Sequence, residues 1–463
     1  MIKNLLKLIF IANIFLFTIV EARDNCSPEF NLAKPSSIAQ STDSDSDKKS
    51  TFIYFDQSLS MQGYTIDQPG QENLYVNIID DLQQIAENIG SKTYYHSFGK
   101  SIIPLKENKI SQVIKPIFYK CKGPAVNCNN QESKIHLPFK ISKANPNGTY
   151  IIVTDLFLSS KQLVGGTLNQ LTKPLKSILK KGKSVGIIGV MSSFNGTIYD
   201  IPSRAGGTIS YTDAKKRPFY IIVIGDQKEI NQVKKNLDEQ HFKVTGDQYK
   251  YTLITSSPIL QNLNQNKLIT ENNISSIVTK AEIFKFEYLN GTLPVYKFDI
   301  KKTKKSIKFK INRPDIIVDN SNGVSAFRID NSLWSSKEVR CSKIKEDDWK
   351  KDKRVDISGE PKLNKQELNI AMFSELPLNK IFWGRRYFYL MEIYAEKPGN
   401  LSEETFKEWS IRDSEAEEFT AGNPVEFKTL NLIKIIKILN SVANNEFQPT
   451  LIASLALNFN LLK

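Results

Sequence analysis

Oxygen-bearing side chains at the ends of two apolar runs set the chemistry open to this chain. The first run, Thr51-Phe-Ile-Tyr-Phe55, empties into Asp56-Gln57-Ser58-Leu59-Ser60. An aspartate and two hydroxyls at alternate positions of a loop surround one point with hard oxygen donors, a set that suits a small divalent cation such as Mg²⁺ or Mn²⁺. The second run, Tyr150-Ile-Ile-Val-Thr154, stops at Asp155. Alone, DxSxS is unspecific, because Ser and Asp are common caps of helices and turns. Joined to an aspartate after a later strand of the same domain, it is far more restrictive.

Such donors need a scaffold that makes strand ends converge. Apolar strand-like runs and amphipathic helical patterns alternate from Thr51 to about Glu239. Thr51 to Phe55 is followed by a helical pattern from Glu72 to Ile89, with Leu74, Ile78, Ile79, Leu82 and Ile85 mainly on one side. Strands at Thr93 to Phe98, Tyr150 to Thr154, Ser184 to Val190 and Phe219 to Ile224 follow, with helices at Leu168 to Leu179 and Gln227 to Leu237. Ile- and Val-rich runs separated by helices predict an α/β domain at 51–240, with a doubly wound, mostly parallel sheet covered on both faces. In such sheets ligands gather at the carboxyl ends of the strands. Asp56 and Asp155 both stand just past one. The long connection from Val190 to Phe219, with Asn195-Gly196 and Gly206-Gly207, predicts a hairpin of its own.

On these residues the segment from Thr51 to about Leu237 resembles a von Willebrand factor type A domain. That family builds its metal-ion-dependent adhesion site from DxSxS after the first strand, a middle-loop hydroxyl and an aspartate after the fourth strand. The resemblance implies that Ser58 and Ser60 coordinate Mg²⁺ (or Mn²⁺), that Asp56 and Asp155 act largely through bound water, and that a partner's Asp or Glu completes the shell. Two positions depart from the pattern. No threonine lies between Thr93 and Thr149, where Ser133 is the candidate substitute unless the loop gives no ligand, and Leu156 replaces the usual glycine after Asp155. Met61 and Tyr64 after the motif either line a binding face or pack the first helix.

The expected function is metal-dependent binding of a protein, as an adhesion or scaffold molecule. An enzyme is not expected, since the chain lacks G-x-S-x-G, H-E-x-x-H and a P-loop. The alternatives are a type A fold with a decayed metal site, its Asp and Ser side chains serving turns, and an effector or toxin-like protein whose activity sits in the C-terminal half.

From about residue 250 the rhythm changes to extended runs, among them Ala281 to Tyr288, Val295 to Ile300, Ser306 to Ile311 and Ile381 to Tyr394. Alternation such as Lys308-Phe309-Lys310-Ile311 predicts antiparallel strands, so 250–463 reads as a β-rich region with a terminal helix. That helix, with Leu432, Ile435, Ile436 and Leu439, suits a core better than a membrane surface.

The N-terminus orders Lys3 and Lys7, an apolar stretch and Val20-Glu21-Ala22, as a secretory signal at 1–22 does; polar residues 23–50 read as a flexible linker. The chain is thus expected to be exported to a periplasm, a cell surface or the medium, with no membrane span after signal cleavage. An oxidising compartment favours a disulfide between Cys121 and Cys128, leaving Cys26 and Cys341 for a long-range pair. Scattered His96, His136 and His241 argue against zinc. The net charge of +14 spreads through a Lys-rich chain, and its densest stretch, 301–305, reads as a solvated hairpin face; nucleic acid is not an expected partner.

Overall fold

A computed structural model describes residues 49–90, 92–120, 130, 132–157, 166–242, 248–256, 267–270, 278–288, 291–300, 307–313, 324–340, 343–344, 348–352, 358–364, 369–376, 382–398 and 401–461. The expected signal segment, nearly all of the linker, the cysteines and the 301–305 stretch lie outside these residues.

In chain order the first part contains β1 (Ser50–Asp56), α1 (Leu74–Ile89), β2 (Lys92–Phe98), β3 (Ile102–Leu105), α2 (Pro116–Lys120), α3 (His136–Ala144), β4 (Thr149–Thr154), α4 (Thr167–Lys180) and β5 (Ser184–Ser193). A hairpin of β6 (Ile198–Pro202) and β7 (Thr208–Tyr211) follows, then β8 (Lys216–Gly225), α5 (Gln227–Leu237) and β9 (Tyr249–Ile254). Helix boundaries follow local signals. The Asn73 side chain accepts from the Val76 amide at 3.2 Å to start α1, and Glu229 accepts from the Asp226 amide at 2.9 Å to start α5.

The seven-stranded sheet runs β3-β2-β1-β4-β8-β5-β9. β1 is parallel to both β2 and β4, whereas β2–β3, β4–β8, β5–β8 and β5–β9 are antiparallel. The sheet is therefore mixed, not mostly parallel. The reason lies in the connection from β5 to β8, which holds a hairpin and no helix. A parallel neighbour needs a long crossover, so without one the chain turns back and pairs with the strand it has just left.

Both sheet faces are buried, which is why the strands read as continuous apolar runs. Ile53, Phe55, Ile151, Val153, Ile221 and Val223 face α1 and α5 through Ile78, Leu82, Ile230 and Val233. The alternating set, Tyr54, Tyr150, Ile152, Ile222 and Ile224, belongs to the opposite core with Leu171 and Leu175 of α4.

The later chain forms α6 (Leu401–Phe406), α7 (Asp413–Ala421) and α8 (Leu432–Glu446), among strands β10 (Lys267–Thr270), β11 (Val278–Tyr288), β12 (Gly291–Ile300), β13 (Ile307–Arg313), β14 (Val324–Ser336), β15 (Lys350–Lys351), β16 (Ser358–Asn364), β17 (Asn369–Leu376), β18 (Arg386–Pro398), β19 (Ser410–Ile411), β20 (Thr429–Leu430) and β21 (Thr450–Leu461). Sheets β10-β13-β17-β16 and β11-β12-β21-β18-β14-β15 are antiparallel apart from the parallel β12–β21 pair. β9, read from sequence as part of this region, instead edges the first sheet. α8 also returns to it: Leu432, Ile435, Ile436 and Leu439 pack in one core with α4. Phe406 and Trp409 approach β5 at Gly189, where a Cβ would stand 2.9 Å from either ring. Among the described residues no helix is long and apolar enough to cross a membrane.

Candidate metal centre

Asp56 ends β1, and Asp155 follows β4. Because β1 and β4 are adjacent and parallel, with Phe55 opposite Val153, both aspartates arrive at one sheet edge. Asp56 is wholly buried and fully engaged. Its Oδ1 accepts from the Ser58 amide at 2.9 Å. Its Oδ2 accepts from the hydroxyls of Ser133 at 2.5 Å and Thr154 at 2.7 Å. The structure thus brings Ser133 into the site, on the aspartate itself. Burial pushes the Asp56 carboxyl up, to about 6, and the neighbouring Asp155 adds to this, while the hydrogen bonds from Ser133, Thr154 and Ser58 pull it back.

Ser58 and Ser60 flank the entrance to a 3-10 turn, Leu59–Thr65. The Leu59 amide donates to the Asn130 carbonyl at 3.0 Å and the Gln57 amide to the Phe98 carbonyl at 2.8 Å, fixing the loop against its neighbours. The Ser58 and Ser60 hydroxyls hydrogen-bond to each other, their oxygens 3.1 Å apart. Adjacent corners of an Mg²⁺ octahedron with ordinary bond lengths are about 2.9–3.0 Å apart. The two hydroxyls therefore fit neighbouring positions on such an ion, and the half-buried Ser60 leaves a side open. Met61 and Tyr64 line no surface: both are fully buried in the core that holds α1.

Asp155 is held differently. Its Oδ1 accepts from the Phe157 amide at 3.1 Å, and its Oδ2 lies 2.9 Å from Nη2 of Arg217. Arg217 is near the start of β8, and only because β8 runs against β4 does that start reach the aspartates' edge of the sheet. The guanidinium is wholly buried, with the rings of Phe157, Phe194 and Tyr64 at 5.2, 5.5 and 6.0 Å. Its nitrogens lack aligned hydrogen-bond acceptors, so the ion pair and the ring faces hold it. Burial works to discharge it, but Tyr64 and Asp155 hold its pKa above the ordinary arginine value.

The expected ligands Asp56, Ser58, Ser60 and Asp155 thus share one site with Ser133. Sequence reading missed Arg217 and the hydroxyl role of Thr154. Thr154 was legible as a hydroxyl next to the second aspartate; Arg217 carried no signal, since it opens an apolar run whose direction the residues do not reveal. The proposed Cys121–Cys128 pair lies outside the described residues. Among the described residues no three His, Cys, Asp or Glu side chains gather as a metal cluster. No family model, no curated protein and no solved structure matches this chain.

Proposed function

We propose that this chain is an exported, non-enzymatic protein-binding molecule of the von Willebrand factor type A kind, which takes an acidic side chain of its partner through Mg²⁺ or Mn²⁺. The observation that carries this reading is the 3.1 Å spacing of the Ser58 and Ser60 hydroxyls beside buried Asp56. Ser58 and Ser60 would hold the ion directly, Asp56 would orient the shell through its satisfied carboxylate, and Ser133 and Thr154 keep Asp56 in place. The bound ion supplies an open coordination position for a carboxylate. Calorimetric titration of the metal-stripped protein with Mg²⁺ and Mn²⁺ tests it, beside Ser58→Ala/Ser60→Ala, which removes the donors without disturbing a buried charge. Saturable binding lost in the variant supports the reading; equal heats from both proteins defeat it.

A second reading rests on Arg217. Its 2.9 Å pairing with Asp155 puts a resident cation where a metal's charge would otherwise be needed, as in a type A fold whose metal site has decayed. That reading predicts no saturable binding by the wild type, with or without a carboxylate.

A further inference from the structure

Among the described residues, the buried charges of the site do not balance. Asp56 and Asp155 are 0% and 1% exposed, and Arg217 is 0% exposed. With both carboxylates ionised, one guanidinium leaves a single net negative charge in a place water scarcely reaches. Unbalanced charge is costly in such surroundings. A divalent cation alone would overshoot to a net positive charge; a divalent cation together with one outside carboxylate would bring the site to neutrality.

Arg217 cannot swing away to adjust this balance. β8 lies between β4 and β5 in the middle of the sheet, and the guanidinium is walled by Phe157, Phe194 and Tyr64. The Tyr64 hydroxyl closes the wall by donating to the Pro218 carbonyl at 2.7 Å, and the Phe194 amide donates to the Lys215 carbonyl at 2.8 Å. Arg217 is a fixed charge.

We infer that Arg217 is the site's permanent counter-ion, setting its charge so that a divalent cation and a partner's carboxylate bind cooperatively, each weakly without the other. This rests on the metal-site reading above. It adds that Arg217 decides what the site recognises: an acidic group presented together with the cation. Arg217 itself touches neither and acts through Asp155 and through charge.

Titration calorimetry of the full chain with Mg²⁺ at about pH 7.5, in acetate and in chloride of equal ionic strength, reads the coupling. In wild type, acetate should raise Mg²⁺ affinity by about tenfold, the size of an ordinary coupling. Arg217→Met should bind Mg²⁺ about tenfold more tightly in chloride and lose most of the acetate effect, because the cation alone then balances the site. Asp155→Asn, which leaves Arg217 and keeps no surplus negative charge, should weaken Mg²⁺ binding by about tenfold or more. Arg217→Met/Asp155→Asn restores the wild-type charge and should restore both the affinity and the acetate effect.

An acetate effect that survives in folded Arg217→Met, as judged by circular dichroism, overturns the inference. So does a double variant that binds as poorly as Asp155→Asn, which would make Asp155 a ligand in its own right. Should Arg217→Met not fold, the comparison of Asp155→Asn with the double variant decides alone. Absence of Mg²⁺ binding to wild type in both salts is a different result: it removes the metal site itself, and this inference with it.

Discussion

Gly63 lies against the ring of Phe194 so closely that a Cβ on the glycine would stand 2.4 Å from a ring carbon. The Asn195 amide also donates to the Gly63 carbonyl at 2.8 Å. The contact ties the turn carrying Ser58 and Ser60 to the end of β5 and to the ring that shields Arg217. Phe194 is fully buried. Gly63→Ala should therefore destabilise the protein by about 1–3 kcal/mol through overpacking. Urea unfolding measures it; an unchanged midpoint would show that the turn relaxes freely.

Leu156, in the position where the resemblance leads one to expect glycine, has φ of +49°, a left-handed conformation that costs a branched residue about 1 kcal/mol or more. Its side chain is nevertheless 3% exposed and packs with Tyr54 and Ile152. Burial outweighs strain here, because emptying a core leucine site costs about 2–5 kcal/mol. Leu156→Gly should lower stability by about 1–4 kcal/mol net despite the easier backbone. A variant more stable than wild type would reverse that ranking.

Asp56 gives the protein an unusual dependence on acidity. Its folded carboxyl, at about 6, lies above the ordinary 3.8, so the folded state holds the proton more tightly. Its favourable contribution is full below 3.8 and is lost as pH rises through about 6. Around it stand Asp155 after β4, itself paired with Arg217 of β8, Tyr75 of α1 and Tyr119 of α2, and burial pushes both tyrosines up, so they stay neutral in this window. In chelator, acidification from about pH 7.5 to 5 should stabilise wild type relative to Asp56→Asn by about 1 kcal/mol. On the proposed metal-site reading, saturating Mg²⁺ should abolish that gain, because cation and proton would compete for the carboxylate's charge. Parallel melting curves of the two proteins check both statements.

Ile436 on α8 is fully buried with Leu171 and Leu175 of α4. Ile436→Ala should cost about 2–5 kcal/mol. The loss should appear in the unfolding of the first sheet, followed by hydrogen exchange of β4 and β8 amides. Unchanged protection there would mean that α8 is an appendage.

The ends of β1 and β4 were readable because a strand's apolar run has a visible stop, and a parallel pair brings two such stops together. Asp56, Ser58, Ser60 and Asp155 were therefore legible as one place. Strand direction was not. Residues 216 to 225 are buried on both faces, and a run with no wet side has the same composition whichever way it points. Arg217 reached the site through that hidden choice. Ser133 was legible only as a hydroxyl in the right interval, since nothing in its neighbourhood marks a bond to Asp56. The return of α8 was invisible for a related reason: its apolar face shows that it must be covered but not by which sheet.

That return gives the molecule a temporal order. The core beside α4 is completed by Leu432, Ile435, Ile436 and Leu439 of α8, which follow α4 only after most of the β-rich stretch, so an emerging polypeptide cannot close that face until α8 has been made. The first sheet must wait with apolar surface uncovered, a state prone to association.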